Sequence, residues 1–215
     1  MVNLEIKGVD LSKHQKSRNI DYAALKKAGY DFAILRAGFG MYRSQRDAEF
    51  ENHYQACKNA GVYCGAYIYS YAMSESEAKR EADCFLKCID GKKLEYPVAF
   101  DIEDKSQKQL STAKRTDIAL AFLEKVESEG YYTMLYCSAD WAKNRLDMDR
   151  LKQFDVWLAC YTTEERRKQL YTRDILGIWQ KRSDLLVPAY SGNLDEDVAY
   201  KDYAAIIRRA GLNHL

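Results

Sequence analysis

The stretch Tyr96-Pro97-Val98-Ala99-Phe100-Asp101-Ile102-Glu103-Asp104 passes from apolar residues straight into three acids. Val98, Ala99, Phe100 and Ile102 have the branched, small and aromatic character of a buried strand. Alternate side chains of a strand share a face, which puts Asp101 and Glu103 on one side, roughly 7 Å apart. Two carboxyl groups so placed repel when both ionise. One pKa therefore rises, leaving a protonated acid beside a charged base near neutral pH. That pair suits hydrolysis of a glycosidic bond, in which one group protonates the leaving oxygen and the other supports a cationic centre. Taken alone, an Asp-x-Glu triplet equally suits an acidic strand end that meets solvent.

The elements around the triplet give it a context. Residues 5–10 read as a brief strand ending in Asp10, followed by a polar run to Gln15. Residues 20–27 have helical spacing, with Gly29 as a stop. Residues 32–38 form a second buried strand with Arg36 embedded in it, and a charge there calls for a carboxylate partner. A helix over 47–60 ends at Gly61, and strand 62–71 lines Tyr63, Tyr67, Tyr69 and Tyr71 along one face. Ser74, with Glu77 three residues on, opens a helix to residue 89. A long amphipathic helix spans 111–129. Strands follow at 132–137, 155–161 and 175–180, with a weak helix over 141–151. The charged run 163–168 reads as a solvated loop, residues 192–198 supply the last strand candidate, and a short helical tail covers 203–209.

Strands alternating with helices imply parallel βαβ units and an α/β fold. Eight strand candidates, with helices thinning towards the C-terminus, imply a closed TIM-like β/α barrel incomplete in its last third. Such barrels gather their active sites at the C-terminal strand ends. Asp10, Asp101, Glu103 and Asp195 stand at those ends.

Composition narrows the function classes. At 215 residues the chain is expected to be one domain, 1–215. Its 33 basic and 32 acidic residues leave a net charge of +1, which argues against a nucleic-acid partner. Seventeen Tyr and three Trp against seven Phe suit surfaces that stack on sugars. No apolar run is long enough to span a membrane. Residues 1–8 lack the pattern of a signal peptide, so synthesis in the cytoplasm is expected. The six cysteines form no CxxC pair and read as reduced core thiols, and the three histidines have no metal-ligand spacing. Neither a metal nor a cofactor is expected.

Taken together, the motifs resemble glycoside hydrolase family 25, the Chalaropsis-type lysozymes of bacteria and their phages. Gly8-Val9-Asp10-Leu11-Ser12 with Gln15 and Ile20-Asp21-Tyr22 is similar to that family's opening motif. Ile34-Leu35-Arg36-Ala37-Gly38-Phe39-Gly40, Gly65-Ala66-Tyr67-Ile68-Tyr69-Ser70-Tyr71-Ala72 and Phe100-Asp101-Ile102-Glu103 follow in order. Val156-Trp157-Leu158-Ala159 with Tyr161, Ile178-Trp179-Gln180 and Gly192-Asn193-Leu194-Asp195 complete the set. Lys16 and Leu194 depart from it, standing where glycine and valine are usual.

The resemblance implies a flattened barrel whose last strands lack full helices. It also implies cleavage of the β-1,4 bond from N-acetylmuramic acid to N-acetylglucosamine in peptidoglycan. Glu103 is then the expected general acid. Asp101 would assist at the reacting centre, and Asp10 and Asp195 would complete the acidic cluster. Arg36, Tyr67, Tyr69, Tyr136, Tyr161 and Trp179 are expected to bind substrate. The expected partner is bacterial peptidoglycan, reached after lysis or release, by a monomer. Two rivals stand beside this reading: a chitinase-like barrel glycosidase, and a wall-binding barrel that has lost catalysis.

Overall fold

The structure is a computed structural model that describes residues 4–215. Eight strands close into one barrel in sequence order. They are β1 (Ile6–Leu11), β2 (Tyr30–Phe39), β3 (Tyr63–Tyr69), β4 (Val98–Asp101), β5 (Thr133–Ser138), β6 (Asp155–Ala159), β7 (Leu176–Val187) and β8 (Tyr190–Ala199). Neighbours from β1 to β7 pair in parallel. The last strand departs from the parallel pattern, since β8 runs antiparallel to both β7 and β1. A tight turn at Pro188-Ala189 replaces the crossover helix that parallel strands need.

Among the described residues seven α-helices accompany the strands: α1 (Tyr22–Lys27), α2 (Phe50–Ala60), α3 (Glu75–Ile89), α4 (Thr112–Ser128), α5 (Ala139–Asn144), α6 (Glu164–Leu170) and α7 (Tyr203–Ala210). The run read as a solvated loop is helix α6. Thr163 caps it by accepting from the Arg166 amide, Glu164 and Glu165 sit at its positive end, and Lys168 pairs with Glu164 one turn away. The weak helix stops at Asn144, well short of residue 151. All six cysteines are unpaired thiols, five of them buried.

Strand alternation sorts the core into two parts. Val9, Leu35, Ile68, Phe100, Leu135, Val156 and Leu158 pack outwards against the helices. Phe32, Ile34, Tyr67, Tyr96, Ala99, Met134, Tyr136, Trp157 and Ile178 fill the barrel itself. Gly8 makes room for that filling, since a Cβ there would lie 2.4 Å from the Phe32 ring. The N-terminal end of the barrel is plugged by α7. Tyr203 reaches in to donate to Asp155 at 2.8 Å, and Asn213 donates to the carbonyls of Leu94 and Tyr96. With that end sealed, only the C-terminal end of the parallel strands is open.

Candidate functional site

The open end carries a cavity of about 370 Å³. Because Val9 and Phe100 face outwards, their neighbours Asp10 and Asp101 must face in, at the last turns of β1 and β4. Strand β4 ends at Asp101, so Glu103 reaches the same cavity from the loop beyond it. Asp195 enters from β8, opposite Asp10 in the register. Asp197 lies two residues further along β8, fully buried beneath them.

The polar contacts of this cluster are few. Asp10 accepts from Gln180 Nε2 at 2.6 Å, and Asp197 accepts from the Trp157 indole N–H at 2.7 Å. Asp101 Oδ1 and Asp197 Oδ2 are buried with no hydrogen-bond partner in the protein. Burial, and then repulsion from Asp197 and Asp195, raises the pKa of Asp10 well above the carboxylate range, with Gln180 opposing. Burial and Glu103 raise Asp101, with Arg36 opposing. Burial, Asp104 and Asp195 raise Glu103. Asp195 is pushed up to about 6 by burial. Asp104 stands apart: hydrogen bonds from Ser106 and Tyr69 hold it low despite some burial. The two neighbouring carboxyl groups are thus shifted in opposite directions, Asp104 down and Glu103 up.

Of the residues expected to bind substrate, Arg36, Tyr67, Tyr69, Tyr136 and Tyr161 line this cavity. Arg36 meets the carboxylate that its burial called for, with Nε 2.7 Å from Asp47 Oδ2. Tyr69 donates to Asp104 at 3.0 Å. Tyr136 and Tyr161 both donate to Gln180 Oε1 at 2.9 Å.

Trp179 is not among them. It packs on the outer face of β7, donates to the Cys160 carbonyl at 2.8 Å and lies under the Arg167 guanidinium. Its neighbour Gln180 takes the inward position, and alternation forbids both. The tryptophan that does line the cavity is Trp157, edge-on to Tyr67 and Tyr136.

Gln180, Trp157, Ser12, His14 and Gln15 also belong to the lining and were not singled out from sequence as site residues. Gln180 carried one available signal: it is the polar residue in an otherwise apolar segment, Ile175-Leu176-Gly177-Ile178-Trp179-Gln180. Ser12 is held from behind by His53, which contacts the Ser12 carbonyl at 3.1 Å and the Tyr22 hydroxyl at 2.6 Å.

Comparison with known proteins follows the same lines. The model of "Glycosyl hydrolases family 25" matches residues 9–189. An "Autolytic lysozyme" of Clostridium acetobutylicum is 27% identical over 159 residues, covering 73% of this chain and 45% of the relative. A "D-alanyl-L-alanine endopeptidase" of Streptococcus phage B30 is 28% identical over 157 residues, covering 70% of this chain and 35% of the relative. This chain therefore spans less than half the length of either curated relative. In fold it is similar to the bacterial lysozyme of Streptomyces coelicolor, with a TM-score of 0.80 at 22% identity, covering 96% of this chain and 97% of that one.

Proposed function

The chain belongs to glycosyl hydrolase family 25, and from that membership we propose that it hydrolyses peptidoglycan at the β-1,4 bond from N-acetylmuramic acid to N-acetylglucosamine. The observation that carries this reading is the convergence of Asp10, Asp101, Glu103 and Asp195 on one cavity at the open end of the barrel. In that setting Glu103 is the general acid. Burial and the neighbouring Asp104 favour its protonated form, which suits a group that gives a proton to the leaving oxygen. Asp101, deeper in the cavity and with a free oxygen, acts on the reacting centre. Asp10 and Asp195 hold substrate or water on the far wall and keep the cluster's total charge low by sharing protons.

Tyr67, Tyr69, Tyr136 and Tyr161 frame the cavity with aromatic faces and hydroxyls suited to sugar rings. We assign the whole chain to one catalytic domain, acting as a monomer on the bacterial wall.

The test is clearance of a purified peptidoglycan suspension, with the released ends labelled and identified by mass spectrometry. New reducing N-acetylmuramic acid ends are expected. Glu103→Gln should lower the rate by about 10²–10⁴-fold while wall binding persists, as expected for loss of a general acid. Reducing N-acetylglucosamine ends would move the bond, and undiminished clearance by Glu103→Gln would remove Glu103 from its role.

A further inference from the structure

Away from the catalytic cavity, a larger concavity of about 620 Å³ opens on the flank of the barrel. One wall is α3, whose Arg80, Cys84, Lys87 and Cys88 share a face by helical spacing. The other wall is the loop after β2, which contributes Met41, Arg43 and Arg46. The charges do not cancel there. Arg46 is paired with Glu51, and Asp83, the carboxylate in the lining, is paired with Lys125. Arg43, Arg80 and Lys87 have no carboxylate within 4.0 Å among the described residues. Three uncompensated cations thus converge from two elements in a chain whose net charge is only +1.

We propose that this flank cavity is a second, non-catalytic site that binds a phosphodiester polymer of the cell wall. The proposal rests on the wall-hydrolase reading given above. Guanidinium forks match phosphate oxygens two at a time, and a lysine ammonium adds a point charge. Arg80 and Lys87 stand two helical turns apart, about 10 Å along the axis, which suits a chain of successive anions better than one isolated carboxylate.

The flank and catalytic cavities are joined along the surface. Met41 borders both the flank cavity and a smaller cleft lined by Tyr42 and Tyr71. The Tyr71 ring lies 5.1 Å from that of Tyr69, which lines the catalytic cavity. A wall fragment can therefore occupy the cavity while its attached polymer lies along the flank.

The test titrates the full chain with inorganic polyphosphate, comparing it with the Arg43→Ala/Arg80→Ala/Lys87→Ala triple variant. These side chains are exposed, so the variant should melt like the parent. Saturable, salt-sensitive binding is expected, weakened about tenfold for each cation removed. Clearance is then compared on walls before and after acid extraction of their phosphodiester polymer. On intact walls the parent should outpace the variant, and on stripped peptidoglycan the two should be equal. Polyphosphate affinity unchanged in the variant, or equal rates on intact walls, overturns the proposal. Single-stranded DNA bound as tightly as polyphosphate would overturn the wall-polymer assignment. Failure of both proteins on stripped peptidoglycan would instead strike the catalytic reading, which the polyphosphate titration does not depend on.

Discussion

Replacing Gln180 with Leu probes how the acid cluster is held. The side chain is buried and bridges three groups, donating to Asp10 at 2.6 Å and accepting from Tyr136 and Tyr161 at 2.9 Å. Leucine keeps most of the shape and removes all three bonds. The Tyr161 bond counts for little, because that residue is 58% exposed and water can replace its partner. Tyr136 is buried, and stranding its hydroxyl costs about 1–3 kcal/mol. The bond to Asp10 contributes about 1.5–3 kcal/mol when that carboxylate is charged. Burying leucine in place of an amide offsets about 1 kcal/mol, so the net loss is about 1.5–5 kcal/mol.

The loss should also depend on pH, and its sign follows from Asp10. Burial raises the folded pKa of Asp10, so its contribution to stability is full below the unfolded value and falls as pH rises through the folded value. Gln180 opposes that rise. Without it the folded pKa climbs further, and the loss continues to higher pH. Urea unfolding of parent and variant between pH 4 and 8 reads this directly, provided the slope with denaturant is shared. A deficit that grows with pH is expected. A variant within about 0.5 kcal/mol of the parent, or a deficit that shrinks as pH rises, would refute the reasoning.

Asp47→Ala should destabilise the chain by about 3–5 kcal/mol in urea, because it strands the largely covered guanidinium of Arg36, whose side chain is 11% exposed. It also removes the acceptor for the Lys13 and Glu49 amides, so Asp47→Asn, which keeps an acceptor oxygen, should cost less. Glu81, buried on α3, accepts from Ser70 Oγ and the Tyr71 amide, and burial raises its pKa to about 7. Its raised folded pKa gives stability that is full below the unfolded value and lost as pH climbs to about 7. The melting temperature of the parent should therefore fall more between pH 5 and 8 than that of Glu81→Gln, and parallel falls would discount Glu81.

What could be read from the sequence, and what could not, divides along one physical line. Strand existence was legible because short apolar runs bounded by glycine and acids have few other fates. Which face of each strand turns inwards was less so. Parallel strands in a barrel are buried on both sides, so their alternation is muted. In β4 the inward residue is the acid Asp101 and parity is plain, whereas in β7 Trp179, expected to bind substrate, turns outwards and Gln180 turns in. Helix α6 was missed because its face towards the protein is marked by Arg167 and Leu170 in a run otherwise of charge and amide. The β7–β8 hairpin lacks the Asn-Gly turn that announces one, and its strands pass through Lys181-Arg182-Ser183-Asp184, which looks like loop. The flank cavity was out of reach altogether. Arg43 and Arg80 are brought together only by the packing of a loop against α3.

The same geometry explains how one small barrel tolerates so many buried acids. Asp10, Asp101 and Asp197 are each inward residues of a closed sheet, above a layer of Tyr67, Tyr136 and Trp157. That layer is apolar across its rings, which disfavours ionisation, yet its polar tips and Gln180 supply the few donors that a carboxyl group needs. Glu103 and Asp195 are higher and less buried. Burial raises the pKa of each deep acid well above the carboxylate range, while the shallow ones lie nearer to solvent. At the opposite end Lys201, Tyr132 and Tyr203 all converge on Asp155, and Asn213 fastens the tail across the barrel floor.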